Sequence, residues 1–571
     1  MPGLGLIPRV MSLSVKTDYV TTAIVYPNSR IHVGWAWECL GADWLVRGLR
    51  WMGRPTFFAT GMDEHSVNVQ RAAESKGLHP KIYCDQMAVD IEKVLRQMGM
   101  SYDRFIRTSD PDHERVVQLL VQKAFDQGDI YSAKYEGLYC EGCEAYYTEK
   151  DLKDGLCPAH GKPPRFISEE NYFFRLSKYQ DRLLQLFKDH PDFLQPDYRR
   201  AEVVNFIQSG LKDFSISRSP FTWGIPLPFD PKHGVYVWFD ALINYLTAAG
   251  LESKLKDPSS AEAKAFDSRW PAHVHVIGKD ISRFHCVYWP AMLMALDLPL
   301  PERVFAHGYI TIKGDRMSKS TGNVVTPDEV MAVTGPDAFR YYLLAENQFS
   351  QDGNFTWESL ILKNNSDLAN DFGNLVNRSI SMSRKYFPDE VLTAPALATH
   401  SNEIRKSFEA LPALLKEALA KIDPSSYASA CTSRSRVLNL YIDQTKPWAI
   451  AKKGTPESQA ELREVLYTLL EGIRWLATCW MPVLPFGMPE AFRQLGLKAP
   501  DEQGASATLK WGGPSYKPEP PKPIYPRLEL PSADADSPES TDKNTDNKTE
   551  KKTDNKTDKK TEKNTGDAKT K

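Results

Sequence analysis

What this chain lacks narrows it first. Nowhere in its 571 positions is there an apolar run of the roughly eighteen residues that a membrane-crossing helix requires. Met1 to Val15 lack the basic start, apolar centre and small-residue cleavage site of a secretion signal. Charge of one sign is missing too. With 71 basic against 73 acidic side chains, any nucleic acid must be held by local patches rather than a global field. Cysteine is scarce at eight residues, and Cys39, Cys84, Cys286, Cys431 and Cys479 stand apart from one another. That spacing argues against a disulfide framework and for a reducing, cytoplasmic setting. The G-x-G-x-x-G fingerprint of dinucleotide-binding folds is absent as well.

The remaining composition, 42% hydrophobic and 25% charged, is that of a soluble globular protein. Its length exceeds what one hydrophobic core supports and predicts several domains. Tyr19 to Tyr26 reads as a strand ending in the Pro27-Asn28-Ser29 turn. Trp37, Leu40, Trp44, Leu45 and Leu49 then predict an amphipathic helix beginning near Gly34. A second strand, Thr56 to Thr60, ends at Gly61-Met62-Asp63-Glu64-His65. Such alternation predicts a parallel sheet with crossover helices and ligands at the carboxyl ends of its strands. Residues 113–230 interrupt the pattern. It resumes with Val235 to Phe239 and Val274 to Gly278, and Thr326-Pro327-Asp328-Glu329 marks a capped helix start. From about 355 to 495 the chain reads as helical, with Leu368, Phe372, Leu375, Val376 and Ile380 as one apolar stripe. Thr541, Thr545, Thr549, Thr553, Thr557, Thr561 and Thr565 recur in a polar tail with almost nothing to bury, and it is expected to be disordered.

Three patterns carry chemistry. His32-Val33-Gly34-Trp35 falls at a strand-to-helix junction, where free N–H groups favour phosphate and Gly34 permits close approach of a nucleotide. Gly314-Asp315-Arg316-Met317-Ser318-Lys319-Ser320-Thr321-Gly322 is a glycine-bracketed loop with two cations spaced around two hydroxyls. A loop of this kind suits charge moving onto a leaving pyrophosphate. The pairs Cys140-x2-Cys143 and Cys157-x2-His160 can place four ligands tetrahedrally around Zn²⁺, which makes a closed, structural site.

The first two patterns resemble the HIGH-type and KMSKS-type elements of class I aminoacyl-tRNA synthetases. Trp35 stands where that family has a second histidine, and Arg316 where it has lysine. With the cysteine–histidine knuckle, Gly61 to His65, Tyr236 to Tyr245 and Phe284 to Leu293, the chain resembles the methionyl-tRNA synthetases from about residue 17 to 495. The resemblance implies a Rossmann-like catalytic domain in two halves (1–112 and 231–354), split by the zinc-bearing insertion (113–230). An α-helical anticodon-binding domain (355–525) and the disordered tail (526–571) follow.

The same resemblance implies the site. His32, Lys319 and Arg316 would be catalytic, and Gly34, Trp35, Gly278, Lys279, Asp280, Met317, Ser318 and Ser320 would join them around ATP. Asp63 would hold the α-ammonium of methionine, with Ile24 and Tyr26 beside it. Trp238, Tyr245, His285 and Trp289 would wall a thioether pocket, Tyr245 and His285 offering hydrogen bonds to sulfur. Asn370, Asn374, Arg378 and Trp448 would read the anticodon. The implied partners are ATP with Mg²⁺, L-methionine, and initiator and elongator methionine tRNA, with one structural Zn²⁺. The implied oligomeric state is a monomer, because no appended oligonucleotide-binding domain follows the helices. Two other readings compete: a non-catalytic binding paralogue whose signature motifs have drifted, and a class I synthetase of other specificity.

Overall fold

Six short parallel strands organise the molecule. In spatial order they are Arg104–Arg107, Thr56–Met62, Asp18–Thr22, Val274–Gly278, Val304–His307 and Leu194–Gln195. The chain builds outward from Asp18–Thr22 in one direction, then returns to build the other side. Its switch point therefore lies between Asp18–Thr22 and Val274–Gly278, where open parallel sheets take their ligands. The computed structural model describes residues 16–140, 145–147, 149–158, 161–219, 221–312, 314–316, 324–395 and 401–530.

The first crossover helix, Val33–Trp51, is the centre of the molecule rather than an amphipathic surface helix. Trp37, Trp44 and Trp51, two turns apart along one face, are all fully buried, and Cys39, Leu40, Ala42 and Leu45 on its other faces are buried too. Burying each tryptophan stabilises the fold by about 1.5–3 kcal/mol. Glu38 and Asp43 are buried as well. Two glycines let neighbours close in on this helix. A Cβ at Gly41 would lie 2.2 Å from Phe349, and one at Gly48 would lie 2.1 Å from Leu419. Asp43 receives the buried Arg340 guanidinium at 2.7 Å, and Arg340 also donates to the carbonyls of Met98 and Val483. Every charge here has a partner, as buried ions require.

The interval 113–230 carries its own antiparallel sheet, in which Ile130–Cys140 and Arg165–Phe174 pair along most of their lengths. It is not spatially separate, because Leu194–Gln195 from within it forms an edge of the main sheet. The run Val235 to Phe239 departs from its strand reading. Only Gly234–Val235 is a strand, paired with Ser217–Arg218, and Val237–Ala249 is a helix buried nearly all round. Such a helix shows the same unbroken apolar run as a buried strand.

The capped start at Thr326 is present as expected, with Pro327 at the first helical position and Thr326 and Glu329 capping reciprocally. The apolar stripe from Leu368 to Ile380 is buried, but Asn364–Gly373 within it is a π-helix and only Asn374–Tyr386 is α. The chain remains ordered past residue 525. Asn365 exchanges two hydrogen bonds with the backbone of Leu528, both 2.8 Å, and Tyr525 donates to Asp337 at 2.9 Å. The polar tail from residue 531 lies outside the described residues.

Candidate active site

The carboxyl ends of Asp18–Thr22 and Val274–Gly278 flank the switch point, with that of Thr56–Met62 next in the sheet. His32, following Asp18–Thr22, is the N-cap of Val33–Trp51, and its Nδ1 accepts the Gly34 N–H at 3.1 Å. Burial lowers its pKa, so the ring is neutral at physiological pH and its proton sits on Nε2, the nitrogen left to meet a ligand. Val33 N–H donates to the carbonyl of Val325 at 3.0 Å, which ties this helix start to the segment just beyond the glycine-bracketed loop. Arg316 is described by its backbone alone, which pairs with Thr311 in a hairpin. Met317, Ser318, Lys319 and Ser320 lie outside the described residues.

The Trp35 indole N–H is buried without a hydrogen-bond partner among the described residues, on a side chain packed against the core. Lys279 is committed elsewhere: Nζ lies 2.6 Å from both carboxylate oxygens of Asp352 and over the Tyr309 ring. Asp280 is exposed at the end of Val274–Gly278, beside Gly278, in the position for hydroxyls.

Asp63 is buried at the end of Thr56–Met62, and its backbone N–H donates to the Val25 carbonyl at 2.9 Å. That contact sets Ile24 and Tyr26, which flank Val25, beside it. Opposite stands an aromatic wall on Val237–Ala249 and the π-helix Phe284–Tyr288. Trp238 stacks on Phe284 with centroids 3.7 Å apart, and Tyr245 lies 5.9 Å from Trp289. Tyr245 is 2.7 Å from His285 Nε2, and His285 Nδ1 is 3.1 Å from the Ile281 carbonyl. Burial lowers the His285 pKa to about 4, so the ring is neutral. A carbonyl only accepts, so the ring proton is on Nδ1 and the Tyr245 hydroxyl donates to Nε2. Both donors are thus used within the wall. This corrects the expectation that Tyr245 and His285 offer hydrogen bonds to a ligand sulfur. The Tyr245 pKa is raised first by burial and then by the charges of Glu38 and others, Asp63 among them.

The model profile described as "tRNA synthetases class I (M)" matches residues 18–162 and 143–380. A methionine–tRNA ligase of Caldanaerobacter subterraneus subsp. tengcongensis is 45% identical over 483 residues, covering 84% of this chain and 74% of the relative. One from Synechocystis sp. is 40% identical over 92% of this chain and 100% of its own. The solved structure of Mycobacterium tuberculosis methionyl-tRNA synthetase in complex with methionyl-adenylate superposes with a TM-score of 0.85. It has 37% identity and covers 90% of this chain and 100% of that one. The chain belongs to the methionyl-tRNA synthetase family.

This family member also carries polar residues around the site that the sequence motifs did not single out. His275 stands behind the wall, accepting from Trp289 Nε1 at 3.3 Å and reaching Thr21 Oγ1 at 2.7 Å. Glu38 takes the Ala23 N–H on one oxygen and sits 2.8 Å from His307 Nε2 with the other. Asp240 lies between His65 Nδ1 and His113 Nε2, both 2.7 Å away, with all three buried. Burial pushes the Asp240 pKa up, but the charges and hydrogen bonds of His65 and His113 outweigh it and leave a net lowering. For His65, burial pushes the pKa down and Asp240 more than reverses it. The helical period exposes none of these pairings, because each joins residues far apart in sequence.

Among the expected anticodon readers, Asn370 and Asn374 are exposed and Trp448 is 41% exposed. Arg378 reaches Asp443 at 3.3 Å, near the end of the helix that leads to Trp448. In the zinc knuckle, Cys140 ends a strand and Cys157 opens a tight turn in which Gly161 N–H returns to the Cys157 carbonyl at 2.8 Å. Cys143 and His160 lie outside the described residues. Among the described residues from 149 to 166, Cys157 alone is buried, so this segment has no apolar core of its own. Such a segment fits a structural metal.

Proposed function

We propose that this chain activates L-methionine with ATP and transfers the methionyl group to the 3′ end of methionine tRNA. The observation that carries this reading is the pairing of buried Asp63 with the closed aromatic wall of Tyr245, His285 and Trp289 at the sheet's switch point. A buried carboxylate near an aromatic wall suits an ammonium on a polarizable thioether. With the Tyr245 hydroxyl donating to His285 and His285 Nδ1–H to the Ile281 carbonyl, the pocket recognises sulfur by polarizability and shape.

The methionine carboxylate oxygen attacks the α-phosphorus of ATP in line, the bridging P–O bond breaks, and pyrophosphate leaves. His32 Nε2–H donates to phosphate oxygens at the helix N-terminus, while Lys319, joined by Arg316, Ser318 and Ser320, takes charge on the leaving group. Mg²⁺ arriving with ATP supplies further charge neutralisation. Asp280 and Gly278 face the ribose. In the second step the 2′-OH of the terminal adenosine attacks the adenylate carbonyl and AMP departs. No side-chain nucleophile is required, and catalysis consists of positioning and charge stabilisation. Asn370, Asn374, Arg378 and Trp448 present an exposed polar and aromatic face for the anticodon.

Zn²⁺ held by Cys140, Cys143, Cys157 and His160 would staple the coreless segment. The protein would act as a monomer in the cytoplasm, where Cys39, Cys84, Cys286, Cys431 and Cys479 stay reduced. Metal analysis is expected to find one zinc per chain, and light scattering one chain per particle. Methionine-dependent exchange of pyrophosphate into ATP tests the main reading. Failure with every amino acid would overturn the activity, and exchange with isoleucine or valine but not methionine would overturn the specificity.

A further inference from the structure

The amino ends of the sheet, opposite the active site, enclose a cavity of about 860 Å³. Its walls come from residues just before three strands and from two helices. Arg54 precedes Thr56–Met62, His273 precedes Val274–Gly278 and Arg303 precedes Val304–His307. Leu45 and Leu49 come from Val33–Trp51, and Lys416 and Leu419 from Leu411–Lys421.

Two cations in this cavity have no carboxylate within ion-pair distance among the described residues. The half-buried Arg303 guanidinium donates only to neutral acceptors, the Ala420 carbonyl at 3.3 Å and His273 Nε2 at 2.8 Å. Across the cavity, Lys416 has no ion pair among the described residues. The nearby acids are largely taken: Glu302 pairs with Lys16 and His273, and Asp18 pairs with Arg54. Asp192 is the remaining lining acid; it forms no ion pair among the described residues, but its charge acts on Arg303 and partly offsets the lowering of that guanidinium's pKa by burial. His273 reports the resulting field. Burial, then Arg303, Arg54 and Lys16, lowers its pKa to about 3 despite its contact with Glu302. Leu45, Leu49, Leu186, Phe193, Leu300 and Leu419 supply the cavity's apolar surface, beside the polar His190. A half-buried guanidinium facing an exposed ammonium across apolar side chains, in a volume typical of ligand pockets, favours an acidic head on an apolar body.

We propose that this cavity is a second binding site, separate from the active site, for a small amphipathic anion whose acidic head lies between Arg303 and Lys416. Occupancy would bridge the amino edge of the catalytic sheet and the helix Leu411–Lys421. The full chain would be titrated with 8-anilinonaphthalene-1-sulfonate, followed by fluorescence, with saturating methionine and ATP present to close the active site.

The expected result is one saturable site that methionine and ATP leave in place. Lys416→Glu, at an exposed position that does not threaten folding, and Arg303→Gln should each weaken binding by about tenfold or more. Laurate and lauryl phosphate, as competing probes, would show whether the head is read as carboxylate or as phosphate. Three results would overturn the proposal: no saturable binding, displacement of the probe by methionine and ATP, or unchanged affinity in Lys416→Glu. Because Lys416→Glu retains the fold, loss of structure in Arg303→Gln would not rescue it.

Discussion

Val33 donates its backbone N–H to the carbonyl of Val325 at 3.0 Å, so the residue after His32 and the segment after Lys319 share a direct contact. The helix start beside His32 is thereby tied to the described segment that follows the glycine-bracketed loop. Lys319→Ala is expected to lower the single-turnover rate of adenylate formation by about 10²–10³-fold, the usual loss for one transition-state donor. Arg316→Lys keeps the charge and is expected to change that rate by less than about threefold. Equal, severe losses in both would show that Arg316 is the leading cation.

His32 has two separable tasks, capping a helix through Nδ1 and meeting phosphate through Nε2. Asparagine caps as well as any residue, so His32→Asn should leave thermal stability within a few tenths of a kcal/mol while activation falls by about 10²-fold. His32→Ala should lose the same activity and also about 0.5–2 kcal/mol of stability. Calorimetry beside an exchange assay separates the two, and an active His32→Asn enzyme would remove His32 from phosphate binding.

The buried His65–Asp240 pair predicts a stability profile with two limits. The His65 pKa is raised in the folded state, so its contribution is complete below its ordinary value of 6.5 and is lost as pH climbs through the folded value. The Asp240 pKa is lowered, so its contribution is complete above 3.8 and is lost as pH falls through the folded value. The pair therefore contributes most between those limits. Asp240→Asn should cost about 3–5 kcal/mol there, because it leaves buried imidazoles without their carboxylate. Urea titrations at pH 5.5 and 8.5 would check this, and an equal loss at both would contradict it.

Trp448→Ala should raise the KM for tRNA by about tenfold or more, the value of one lost base stack, while methionine-dependent exchange without tRNA stays unchanged. An exchange rate that falls alongside would mean that Trp448 supports the fold instead.

The sequence made the local features of this fold plain and left its long-range contacts hidden. The Thr326 cap, the strand that ends before Asp63 and the helix start near Gly34 follow from turn chemistry and alternation within short windows. Val237–Ala249 was misread because an unbroken apolar run looks alike in a buried strand and a buried helix. The Trp35 indole, the Lys279–Asp352 pair and the closed Tyr245–His285 bond depend on what each side chain meets across the fold. The partners of Glu38 and Asp240 are equally distant, and no periodicity points to them.

The bonds of Asn365 to Leu528 set where the protein can be shortened. A chain cut at residue 525, where the helical pattern gives way to tail, would strip Asn364 and Asn365 of their backbone partners at Pro526 and Leu528. Those amides anchor the start of the π-helix that carries Asn370, so the damage would surface as impaired tRNA selection rather than wholesale unfolding. A cut after residue 530 keeps the anchor, and only the repetitive tail is lost.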